Sequence, residues 1–162
     1  METQSEFLFD ALAKEDAPSS IFGDILGGSP LRLATATLRR DAEGARSRVN
    51  DTFGHHVTPD EQGIRVLDTI VAEMWSTGWD PKRESLDLFV SDFGALYASA
   101  FASIETLRLV ARSTGDPLHM SFWSLMARME YFPYHKVVKA LRNPTGENLA
   151  QMYESAVSDG RS

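Results

Sequence analysis

FVSDFGALYASAFASI, residues Phe89–Ile104, is the stretch around which the rest of this chain has to be arranged. Leu86, Phe89, Val90, Phe93, Leu96, Tyr97, Ala100, Phe101 and Ile104 recur at helical spacing. Gly94, Ala98 and Ala102 form a row spaced four apart, and small residues in such a row let another backbone approach closely. The reading is a helix over Ser85–Ile104, the central and most buried one. Asp80-Pro81 supplies its start signal.

Beyond Ile104 the period changes from helical to two. Leu107, Leu109 and Ala111 alternate with Arg108, Val110 and Arg112, and Met120, Phe122 and Ser124 alternate with Ser121, Trp123 and Leu125. Ser113-Thr114-Gly115-Asp116-Pro117 between them is a turn signal. This predicts an antiparallel hairpin over about 106–125. Met126–Tyr131 stays open: it continues the strand, makes a third one, or is irregular. Pro133 starts a short helix with Val137, Val138 and Leu141 on its face, and Asn143-Pro144 ends it. Thr145 is placed to cap a last helix bearing Leu149, Met152, Tyr153 and Val157, and the tail from Ser158 is expected to be disordered.

Upstream, Leu31, Leu38, Ala42, Ala45, Val49 and Phe53 mark another helix, with Gly54 as its stop. Thr58-Pro59-Asp60-Glu61 starts the next: Thr58 to cap, Pro59 at the first helical position, Glu61 to complete a capping box. Ile64, Leu67, Ile70, Val71 and Met74 form its apolar stripe, with Trp75 at the end and Gly78 as the stop. Residues 1–30 read as an arm or linker punctuated by Pro18, Gly27, Gly28 and Pro30, with the apolar cluster Ile21, Phe22, Ile25 and Leu26 inside it. That cluster docks back on the body or on a partner. The expected architecture is α+β: one mostly helical domain, residues 31–158, with a small antiparallel sheet packed against the central helix.

The composition excludes several classes of function. With no cysteine among 162 residues, disulfides, thiolate metal sites and cysteine nucleophiles are out. A formal charge of -7 argues against nucleic acid as a partner. The N-terminus has no basic region followed by an apolar run, and no segment approaches the ~18 apolar residues of a membrane span. The expectation is a cytoplasmic protein with no membrane contact. The charge is uneven: residues 50–105 carry ten acids against Arg65, Lys82 and Arg83, and base gathers in Arg32–Arg48 and Arg108–Arg142.

No catalytic or metal-ligating spacing stands out. His55-His56 are adjacent, so their rings diverge, and no HxH, HxxxH or HExxH pattern supports them. Asp87 and Asp92, five apart on one helix, project in different directions. There is no GxSxG or SxxK, and Gly23–Gly28 lacks the lysine of a phosphate loop. No metal and no cofactor are expected. Two candidate surfaces remain. Asp60, Glu61, Asp68 and Glu73 are assigned to the outer face of one helix, and Trp123 becomes a partner anchor if its strand face points outward. Alternatively Arg128, Tyr134, His135 and Lys136 line a pocket at the Tyr131–Lys136 corner, with His135 as its titrating group.

The motifs of the second half resemble a family of small bacterial domains of unknown function. The residues that carry the resemblance are Phe93-Gly94-Ala95-Leu96-Tyr97, Trp123, Phe132-Pro133-Tyr134 with Lys136, Lys139-Ala140-Leu141-Arg142-Asn143, and Leu149 with Tyr153. It covers about residues 85–157. Where that family has an acidic residue this chain has Ala98-Ser99-Ala100. The resemblance implies no activity, but similar small acidic proteins occur beside bacterial toxin–immunity and secretion systems. The expectation is therefore a non-enzymatic protein-binding module of immunity or adaptor type. Its acidic face would occlude a basic protein partner. A small-ligand binder or enzyme with its pocket at the Tyr131–Lys136 corner is the alternative, and a homodimer through Ile21–Leu26 a third reading.

Overall fold

The computed structural model describes residues 30–80, 86–110, 117–143 and 148–159. The arm 1–29, the Asp80-Pro81 helix start beyond Asp80, most of the Ser113–Pro117 turn and the Thr145 cap lie outside them. Among the described residues there are five α-helices and a three-stranded antiparallel sheet. They are α1 (Pro30–Phe53), α2 (Glu61–Ser76), α3 (Leu86–Ala102), β1 (Leu107–Val110), β2 (Ser121–Ser124), β3 (Met129–Tyr131), α4 (Pro133–Arg142) and α5 (Leu149–Asp159). The protein is thus a mostly helical α+β domain. No helix among the described residues is long and apolar enough to cross a membrane.

Helix α3 is the centre. Every residue from Asp92 to Ala98 is buried, as are Ala100 and Phe101. A helix apolar on all sides needs neighbours on all sides, and α1, α2, α4 and β1 all pack on it. α1 runs antiparallel to α3, since Arg48 meets Asp92 and Phe53 meets Phe89 and Phe93. Leu38, Ala42, Ala45 and Val49 form its buried stripe, and Ile64, Leu67, Ile70, Val71 and Met74 that of α2. Gly54 (φ 72°) and Gly78 (φ 94°) take the left-handed conformation that ends each helix, as their positions predict. Trp79 lies edge-on to Trp75 and Phe89, closing the core where α2 ends.

The row Gly94, Ala98, Ala102 works differently from the expectation. Ala102 is exposed, and a side chain, not a backbone, fills the gap at Gly94. A Cβ at Gly94 would lie 2.2 Å from Cδ2 of Tyr134. The phenol ring of α4 therefore rests on the backbone of α3.

The third strand resolves the open segment. Leu109 pairs with Phe122 and Phe122 with Tyr131, on the face that meets Phe101; both rings lie about 6 Å from it (6.0 and 5.9 Å). Trp123 sits on the opposite face between Arg108 and Glu130. It is only 5% exposed, so the expected outward anchor is corrected. The reason is its place in the middle strand, where side chains of both neighbouring strands flank the ring. The last helix runs through Asp159, into the segment read as a disordered tail.

Gly94→Ala tests the central contact. Better helix propensity returns about 1 kcal/mol, while overpacking against a buried ring costs about 1–3 kcal/mol. A net loss of stability in urea melts is expected, shrinking or reversing in a Tyr134→Leu background. An equal effect in both backgrounds would contradict the contact.

Candidate functional site

The start of α2 is built by Asp60. Its Oδ1 accepts from the Gly63 amide at 2.9 Å and from the Thr58 hydroxyl at 2.5 Å. Asp60, not Thr58, is therefore the N-cap, because its extended backbone aims the carboxylate at the helix's free amides. The Thr58 hydroxyl, then the Gly63 amide, hold the Asp60 carboxyl below its ordinary pKa.

The start of α5 is capped twice. Asn148 Oδ1 accepts from the Gln151 amide at 3.0 Å, while Gln151 Oε1 accepts from the Asn148 amide at 2.8 Å. Asp68 reaches across from α2 and accepts from Leu149 N (2.8 Å) and Ala150 N (3.0 Å). Burial pushes the Asp68 pKa up, opposed by those two amides and by Lys136 and Arg65. The Asp68 carboxylate, half-buried, is thus committed to capping α5, and its expected place on an outer contact face is corrected.

These caps bring the first turn of α2 beside α5. Between them lies an open groove of about 440 Å³, lined by Asp60, Glu61, Tyr153, Glu154, Val157 and Ser158. Arg65 Nη2 donates to Glu61 (3.1 Å) and also to Glu154, linking the two helices. Two carboxylates thus share one guanidinium. Tyr153 is 8% exposed at the groove wall. Its pKa is raised by burial; the Ser103 hydroxyl acts against this, and Asp60 and Glu61 add to it.

Of the acidic set, the structure brings Asp60 and Glu61 together. Glu73 lies elsewhere on α2, exposed, with its carboxylate 3.8 Å from His55 Nε2. Glu154, Tyr153 and Val157 complete the groove; Tyr153 and Val157 were legible only as a helix face, and no spacing connects Glu154 to Glu61.

The alternative corner does not converge. Tyr134 is 3% exposed and turned onto Gly94. Burial, then the Asp41 and Asp92 carboxylates, raises its pKa. His135 is exposed, its ring edge-on to Phe132 at 5.7 Å. Arg128 lies in the β2–β3 turn at φ 55°, and Lys136 is half-buried on the side of Asp68. The tyrosine expected to line that corner is therefore turned into the core. Among the described residues, no three His, Asp or Glu side chains gather as a metal site.

Asp68→Ala should destabilise the fold by about 1–2 kcal/mol, measured by urea unfolding. Asp68→Asn, which keeps one acceptor and removes a half-buried charge, should cost less. Equal costs would assign the loss to charge alone. Tyr131 and Tyr134, whose phenols burial raises, should contribute stability below the ordinary phenol pKa of about 10. That stability is lost as the pH climbs further, so ultraviolet titration should show them ionising late. Ionisation in the ordinary range with the fold intact would contradict their burial.

No protein-family model, no curated protein and no solved structure matches the chain.

Proposed function

We infer that the chain is a non-catalytic protein-binding module that takes a basic segment of another protein into the groove between α2 and α5. One observation carries this reading: acids far apart in the chain, Glu61 and Glu154, share a groove rim with the partly apolar wall of Tyr153 and Val157. A lysine or arginine entering there would compete with Arg65 for both carboxylates, and its alkyl stem would lie on Tyr153 and Val157. The formal charge of -7 would speed association with a basic surface and disfavour nucleic acid. Covering a partner's basic surface in this way is how an immunity or adaptor protein of the resembled kind would act, in the cytoplasm.

The test is capture of partners from the source cells at low and moderate salt. Glu61→Lys with Glu154→Lys should abolish a salt-sensitive partner, while Arg65→Ala, which unmasks both carboxylates, should strengthen it. Asp51→Lys, an exposed site on α1, should leave it unchanged. A partner held equally by all four proteins would sink the groove as the binding surface.

A further inference from the structure

Helix α4 turns a basic stripe to solvent. Val137, Ala140 and Leu141 are buried and Tyr134 is pinned on Gly94, so the helix cannot rotate about its axis. His135, Lys139 and Arg142, spaced four and three apart, share its exposed side. Phe132 stands exposed at one end of the stripe, edge-on to His135 at 5.7 Å. Lys136 faces Asp68 and is not part of it. Among the described residues, Lys139 and Arg142 form no ion pair.

The stripe is one pole of a body that is nearly balanced in charge. Residues 1–29 hold six acids against Lys14, which is -5 of the formal -7 and leaves -2 on the rest. The other pole is the groove between α2 and α5, with Asp60, Glu61 and Glu154 around it. The two surfaces match in kind as well as in charge. The groove sets carboxylates beside the apolar wall of Tyr153 and Val157, and the stripe sets long cationic side chains beside the Phe132 ring.

We propose that the α4 stripe of one copy of this chain docks in the α2–α5 groove of a second copy. Lys139 or Arg142 of one molecule competes with Arg65 of the other for Glu61 and Glu154, and its alkyl stem lies on Tyr153 and Val157. The contact forms between molecules because it is closed off within one. Tyr134 holds α4 on the core and Asp68 holds α5 on α2, so neither helix swings to bring the chain's own stripe to its own groove.

Stripe and groove are different patches, so the contact is heterologous. A groove filled by a second copy is closed to any other basic segment. Self-association thus regulates the groove: a partner must displace the second copy, and dilution frees the site. The inference rests on the groove taking a cation, as proposed above, and adds that the chain itself supplies one.

Sedimentation velocity of the full chain at low salt should show the mean mass rising from one chain toward two or more as concentration increases. High salt should abolish the rise. Two charge reversals divide the interface: Glu61→Lys with Glu154→Lys spoils the groove, and Lys139→Glu with Arg142→Glu spoils the stripe. All four positions are exposed, and circular dichroism should report an unchanged fold. Each variant alone should stay monomeric. Mixed, the two should associate again, because the intact stripe of one meets the intact groove of the other. A wild-type chain that is monomeric at every concentration, association that survives either reversal, or a mixture that stays monomeric would overturn the contact. Partner capture from the source cells separates this outcome from the groove reading. A monomeric wild-type chain that still holds a salt-sensitive partner through Glu61 and Glu154 overturns self-docking alone, whereas loss of both overturns both.

Discussion

The Tyr134 ring resting on Gly94 is the contact that sets the spacing of the whole domain. α3 is buried on every side from Asp92 to Ala98, so each neighbour must find room against it. At Gly94 the absence of a Cβ leaves space for an aromatic ring, and α4 descends onto that space. The ring lies only 3% exposed, and burial of a side chain of this size contributes roughly 1.5–3 kcal/mol. The corner Phe132-Pro133-Tyr134 is fixed by the same contact, with Pro133 at the first position of α4. Committing Tyr134 to the core takes it away from any pocket at that corner.

One polar residue interrupts the apolar surroundings of α3. Asp92 is 8% exposed and is met by Arg48 from α1, whose Nη2 donates to Oδ1 at 2.8 Å and whose Nε lies 3.1 Å from each carboxylate oxygen. Such a paired, charge-assisted contact fixes orientation as well as compensating the buried charge. It sets the register of α1 along α3. Two other buried donors, the indole N–H groups of Trp75 and Trp79, have no hydrogen-bond partner. Their rings are held by edge-on aromatic packing instead.

The last helix is fastened by polar groups at both ends. Asp68 and Asn148 satisfy its first amides, the Tyr97 hydroxyl donates to the Leu149 carbonyl at 2.6 Å, and the Tyr131 hydroxyl donates to Asp159. Tyr153 packs between them, edge-on to Phe101 at 5.7 Å. The groove follows from this fastening: holding α5 against α2 brings Glu154 and Tyr153 beside Glu61. Exposed ion pairs such as Arg65 with Glu61 add about 0–1 kcal/mol each, so the rim carboxylates can serve recognition at little cost to the fold.

The sequence by itself determined the elements. The stripes of α1 and α2, the central α3, the switch to period two at Leu107, the Pro133 helix start and the stops at Gly54 and Gly78 all follow from side-chain periodicity and local backbone preference. These are local properties, and they survive folding because the core uses the same faces. Tertiary structure alone decided which polar residues are spent and which remain. Asp68 and Glu61 look alike seven residues apart, yet Asp68 caps a helix more than eighty positions later in the chain and Glu61 faces a groove. Trp123 looks like an outward anchor until a third strand places it in the middle of the sheet. Tyr134 looks like a pocket residue until Gly94 accepts its ring. Each of these outcomes depends on a partner far away in sequence, and spacing along the chain carries no information about such a partner.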